Sequence, residues 1–121
     1  GEYEKDKLME LLKAYFKRAN YSANRMKKVL LPALLSNNQV TRRELKQEFV
    51  KTGEAPDESQ AGYFIALISN QLQHAKKDYL RQIIYYDYPD NEWTKDNFRI
   101  RDGCKELVQT LLDDLKNDGE T

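Results

Sequence analysis

Thr41-Arg42-Arg43-Glu44 is a capping box: the threonine hydroxyl is placed to accept from the backbone three residues on, and the glutamate to reach back to the threonine's own N–H. A helix starts there. Leu45, Phe49 and Val50 give it one apolar face, and Gly53-Glu54-Ala55-Pro56 stops it with a glycine followed by a proline. Asp57 or Ser59 caps a longer helix a few residues later. In that helix Phe64, Ile65, Ile68, Leu72 and Ala75 point inward, and Ser59, Gln60, Tyr63, Asn70, Gln71, His74 and Lys77 outward. The core of the chain is therefore built around helix, turn, helix.

Elements of matching size surround this pair. Leu8, Leu11, Leu12, Tyr15 and Phe16 recur at helical spacing across residues 3–19. Met26, Val29, Leu30, Ala33 and Leu34 mark a second helix, which Ser22 caps and Ser36-Asn37-Asn38 ends. Pro32 lies inside that pattern and should kink it or start a fresh turn, because it lacks a backbone donor. Downstream, Gln82-Ile83-Ile84-Tyr85-Tyr86-Asp87-Tyr88 and Asn97-Phe98-Arg99-Ile100-Arg101 predict an antiparallel hairpin whose loop carries Glu92, Trp93, Thr94 and Lys95. Asp102-Gly103 then leads into a last helix with Leu107, Val108, Leu111, Leu112 and Leu115 on one face.

A chain of 121 residues, 40% apolar and 33% charged, suits one domain. Residues 1–20 are expected as an accessory helix, 22–116 as the core and 117–121 as a frayed tail. The lone Cys104 has no internal disulfide partner, and no Cys and His spacing resembles a zinc site; a reducing, cytoplasmic setting without metal or other cofactor is expected. No apolar run is long enough to span a membrane and no export signal opens the chain. Gly1 in place of an initiator Met suggests a processed tag or an excised fragment, the latter making a module of a longer protein the expectation. Enzymatic activity is not expected. His74 is the single histidine and has no nucleophile beside it in sequence; Asp113-Asp114 reads as a solvated charge pair; Gly53, Gly62, Gly103 and Gly119 are too isolated to cradle a phosphate.

Formal net charge is zero, which alone argues against nucleic-acid binding. The average conceals a split: residues 17–52 hold nine basic and two acidic residues, whereas from residue 53 onward eight basic face fourteen acidic. The chain thus presents two electrostatic faces.

The order of elements from residue 22 to 116 resembles a winged helix-turn-helix domain. In detail, Leu80-Arg81-Gln82-Ile83-Ile84, followed by Asn97-Phe98-Arg99-Ile100-Arg101-Asp102-Gly103-Cys104-Lys105-Glu106-Leu107-Val108, is similar to the wing and following helix of MarR- and PadR-like bacterial regulators. The resemblance covers about three quarters of the chain. It implies a mainly α fold with a small β-hairpin wing and an extra amino-terminal helix. It also implies double-stranded DNA as partner, for a small transcriptional regulator or the recognition domain of a larger DNA-acting protein. Residues 41–52 would be the positioning helix and 57–77 the recognition helix. Ser59, Gln60, Tyr63, Asn70 and Gln71 become candidates for base edges, and Arg42, Arg43, Lys46 and Lys77 for phosphates. Arg99 and Arg101 join the phosphate set if strand alternation points both outward.

Other features pull toward a different partner. Around the wing, Asp87, Asp90, Glu92 and Asp96 outnumber Lys95, so its tip would be repelled by a minor groove. Tyr79, Tyr85, Tyr86, Tyr88, Trp93 and Phe98 concentrate there. Half of them fill a core, and the remainder suits a protein-protein contact without direct DNA contact, through Trp93, Tyr85 and, on the first helix, Leu8. Aromatics beside Arg99 and Arg101 equally suit stacking on single-stranded bases. The leucine-rich faces of the first and last helices either pair two copies into a homodimer or pack on each other within one chain.

Overall fold

In a computed structural model, which describes residues 3–18, 20–87 and 97–119, both halves of the capping box form. Thr41 Oγ1 accepts from Glu44 N at 3.1 Å, and Glu44 Oε1 accepts from Thr41 N at 2.9 Å. The elements in order are α1 (Lys5–Lys17), α2 (Tyr21–Arg25), α3 (Leu31–Asn37), β1 (Gln39–Thr41), α4 (Arg42–Lys51), α5 (Glu58–Gln73), β2 (Ile84–Asp87), β3 (Asn97–Ile100) and α6 (Lys105–Gly119). A π-helical turn, Met26–Leu30, joins α2 to α3, and a 3-10 segment, Ala75–Gln82, leads from α5 to β2. The protein is mainly helical with a small antiparallel sheet.

Several local expectations change. Asn20, not Ser22, caps α2: its side chain accepts from Ala23 N at 3.0 Å, while Ser22 is buried inside the first turn. Pro32 does not break its helix. It sits at the start of α3, and the wider hydrogen-bonding ring just before it, closed by Leu31 N on Met26 O, lets the helix pass a residue that cannot donate. α5 is capped by Asp57 and stops at Gln73 rather than running to 77. There His74 turns extended and its Nδ1 accepts from Lys76 N, while Arg81 Nη1 takes the carbonyls of Leu72 and His74 at 2.8 and 3.0 Å. A side chain thereby takes the carbonyls of Leu72 and of the C-cap His74 in place of another helical turn. Ala75, expected inward, is exposed as a result.

The segment between α3 and α4, for which the sequence suggested no strand, is a third strand. The sheet order is β1-β3-β2, with Val40 opposite Phe98 and Ile84 opposite Ile100. One face carries Val40, Phe98, Ile84 and Ile100 into the core; Tyr86 stacks on Phe98 at 4.7 Å. Gly103, at φ +80, supplies the left-handed residue that turns β3 toward α6.

The core gathers Phe16, Met26, Leu30, Leu34, Leu45, Phe49, Ile65, Ile68 and Phe98, all inaccessible to solvent. α1 and α6 close one side of it. Leu8, Leu12, Leu111 and Leu115 are buried there, so the leucine faces of these helices pack within the monomer. Leu8, at 7% exposure, is core and not the protein-contact residue expected. Lys13 Nζ meets Asp114 Oδ2 at 2.8 Å and Lys17 Nζ meets Asp118 Oδ2 at 3.0 Å, and α6 runs as helix to Gly119, past residue 117 where the tail was expected to begin. Trp93, and with it the acidic wing tip, lies outside the described residues.

Candidate nucleic-acid interface

The sixteen residues of α5 divide cleanly. Ala61, Ile65, Ile68 and Leu72 are buried, with Ser69 bonding its hydroxyl back to Ile65 O at 2.9 Å. Ser59, Tyr63, Ala66, Asn70 and Gln73 form the opposite, exposed stripe. None of these five carries a charge, and Asn70 presents both a donor and an acceptor at its tip. The exposed carboxylate nearest the stripe in sequence is Glu58, in the first turn.

Three of the sequence candidates lie off this stripe. Gln71 is half-buried, and its Oε1 accepts from the Tyr15 hydroxyl at 2.9 Å; burial pushes that phenol above its ordinary range, so it remains a donor. Periodicity placed Gln71 outward, but the Tyr15 hydroxyl reaches over from α1 and engages it. Lys77 lies beyond the end of the helix, its ammonium 5.6 Å from the centre of the Tyr15 ring. Gln60 is half-buried, with its backbone N–H engaged by the Asp57 cap at 2.8 Å.

The phosphate candidates on α4 reach the stripe through one small residue. Arg42 Nη1 donates to Gly62 O at 3.5 Å, and a Cβ at position 62 would stand 3.2 Å from Lys46 Cε. Arg42 and Lys46 are one turn apart on α4, so both lie on the same face and both close on Gly62. The missing side chain admits the aliphatic stem of Lys46 against α5, and a long cation can lie along apolar surface while its head stays in water. Arg43, one residue away, is exposed.

The outer face of the sheet carries Arg99 and Arg101, both exposed as alternation allowed. Their guanidinium carbons lie 4.5 and 5.3 Å from the centre of the Tyr85 ring, and Arg101 Nε donates to Arg81 O. Tyr85 is half-buried beside these arginines, so it is not the open aromatic contact expected of it.

The exposed rings are elsewhere. Tyr21 is 77% and Tyr63 59% exposed, and between them Arg25 places its guanidinium 3.5 Å from the centre of the Phe64 ring and 5.4 Å from that of Tyr21. Phe64 in turn lies 6.1 Å from Tyr63 and 6.2 Å from the buried Phe49. Tyr21 and Arg25 were not singled out as contact residues from the sequence. Their spacing of four on one helix was the available signal.

Cys104 donates to Gln82 O at 3.3 Å, and burial pushes its thiol upward, which keeps it protonated and a poor nucleophile. Among the described residues no three His, Cys, Asp or Glu side chains gather where a metal could be held, and no helix is long and apolar enough to cross a membrane. No family model, curated protein or solved structure matches the chain.

Proposed function

We propose that this domain is a winged helix-turn-helix that binds double-stranded DNA, with α5 as the helix that reads the major groove and α4 as the helix that holds the backbone. One observation carries the reading: Arg42 and Lys46 close on Gly62 in the middle of α5, beside an exposed stripe made only of Ser59, Tyr63, Ala66, Asn70 and Gln73. Cations flanking an uncharged, hydrogen-bonding surface divide the work as duplex recognition requires, with phosphates positioning and base edges specifying. The order β1-β3-β2 around a helical core supports the winged form of the fold, and Arg99 and Arg101 extend the basic surface along the sheet. The domain acts as a small transcriptional regulator or as the recognition module of a larger DNA-acting protein.

The test is anisotropy of labelled random-sequence duplex at two salt concentrations. Each phosphate contact contributes about 0.9 to the slope of log affinity against log salt, so Arg42→Glu/Arg43→Glu should lower the slope by about 2 and weaken binding to every sequence. Flat titrations at low salt would refute the reading. With a preferred site in hand, Asn70→Ala should cost about 1–3 kcal/mol on that site and little on others.

A further inference from the structure

We propose that Tyr21, Arg25 and Tyr63 form a stacking platform for unpaired nucleobases, so that the domain engages a junction where a strand leaves the duplex beside α5. The inference rests on the DNA reading for the position of the duplex, and for the platform itself on Tyr21 and Arg25, with Tyr63 common to both surfaces.

The geometry is a row of planar groups: Tyr21, the Arg25 guanidinium, Phe64 and Tyr63, with the guanidinium 3.5 Å from the Phe64 centre and the two phenylalanines, 64 and 49, at 6.2 Å. The row is anchored in the core at Phe49 and open at both ends. Tyr21 and Tyr63 are two of the three large hydrophobic side chains that stay exposed among the described residues, the third being Val50. Arg25 is already held, by the ring beneath it and by an Nη1 bond to Tyr21 O at 3.3 Å, so little side-chain freedom remains to be lost when a ligand arrives.

Charge selects the occupant. From residue 11 to residue 43 the chain has eight Lys or Arg and no Asp or Glu. Lys13 and Lys17 turn to the carboxylates of α6, while Arg25 meets rings and Lys28 and Arg43 are exposed. The nearest carboxylates on α5, Asp57 and Glu58, lie more than a helical turn before Tyr63, and Asp57 is engaged as the cap. An acidic peptide would match the charge but offers few flat faces. Every nucleobase has a π face and every nucleotide an anionic linker, the combination that exposed rings beside a fixed guanidinium accept.

The experiment compares three probes with the whole domain: a fully paired duplex, the same duplex with a short single-stranded thymidine overhang, and oligo-dT. A 2-aminopurine placed at the first overhanging position reports stacking. The overhang should tighten binding by about tenfold and quench 2-aminopurine; Tyr21→Ala should erase both effects, Tyr21→Phe keep them, and paired-duplex affinity stay unchanged in both variants. Tyr21 is exposed enough for either substitution to leave the fold intact, which circular dichroism checks. Equal affinity for paired and overhanging duplex, or a preference that survives Tyr21→Ala, overturns the proposal. So does a dimer in sedimentation that Tyr21→Ala dissolves, since the rings would then serve a second copy. Loss of duplex binding with oligo-dT binding that still needs Tyr21 would sink the duplex reading and leave the platform standing; duplex binding that needs Arg42 without any overhang preference would do the reverse.

Discussion

Two flanks of one core handle their cations in opposite ways. Along α1 and α6, Lys13 and Lys17 meet Asp114 and Asp118, and the leucines behind them are buried. Along α2, α4 and α5, Arg25 meets ring faces, Arg42 reaches the Gly62 carbonyl, and the stem of Lys46 occupies the space a side chain at position 62 would need. A carboxylate offsets a charge, whereas a ring face, as at Arg25, orients it. The first flank therefore closes the monomer, and the second is the surface on which the proposed duplex contact rests. The basic excess of residues 17–52 is accordingly not one patch, because Lys17 belongs to the closing flank.

The comparison breaks first if the flanks do not share a core. Leu12→Ala on the closing flank should cost about 2–5 kcal/mol and Phe49→Ala on the other about 3–5 kcal/mol in urea unfolding, since both are fully buried. A small effect at Phe49 would mean that α4 and α5 are not anchored together. Next, Lys13→Glu/Lys17→Glu places like charges against α6 and should destabilise the fold while leaving duplex affinity and its salt slope as they were; a lowered slope would erase the distinction between the flanks.

Smaller changes sharpen it. Thr41→Ala removes the capping box at the head of α4 and should cost about 1 kcal/mol. Gly62→Ala should stabilise α5 by up to about 1 kcal/mol, because the flexible stem of Lys46 can shift by a few tenths of an ångström, yet weaken duplex binding as that cation moves. The smallest effect is at α1's start, where the Tyr3 hydroxyl donates to Asp78 Oδ1 at 2.6 Å. That bond first, and nearby Arg81 among the weaker causes, hold the Asp78 carboxyl below its ordinary value of 3.8, despite some desolvation. A carboxyl lowered by folding contributes stability above its unfolded value and loses it as pH falls through the lowered one. The stability difference between wild type and Tyr3→Phe should therefore be visible at pH 7 and narrow near pH 3.

Much of this arrangement was legible in local chemistry. Thr41 and Glu44 announced α4, Asp57 was one of two caps offered for α5, and the buried positions Ile65, Ile68 and Leu72 follow from a 3.6-residue period. The misreadings share a cause. β1 has three residues, too few to show alternation, and exists because β3 offers its free edge. α5 stops early because Arg81, well along the chain, caps its carbonyls. Gln71 and Leu8 are withdrawn by α1 and α6, which periodicity treats as absent.

The sequence by itself determined where helices begin, which of their faces are apolar, and that its positive charge is concentrated before residue 53, since capping, periodicity and charge are properties of neighbours along the chain. Only the tertiary structure decided which cations are cancelled and which stand beside α5, and it alone brought Tyr21, Arg25, Phe64 and Tyr63 into one row. Those outcomes depend on distances between residues far apart in the chain, and such distances are set when separate apolar faces share one core.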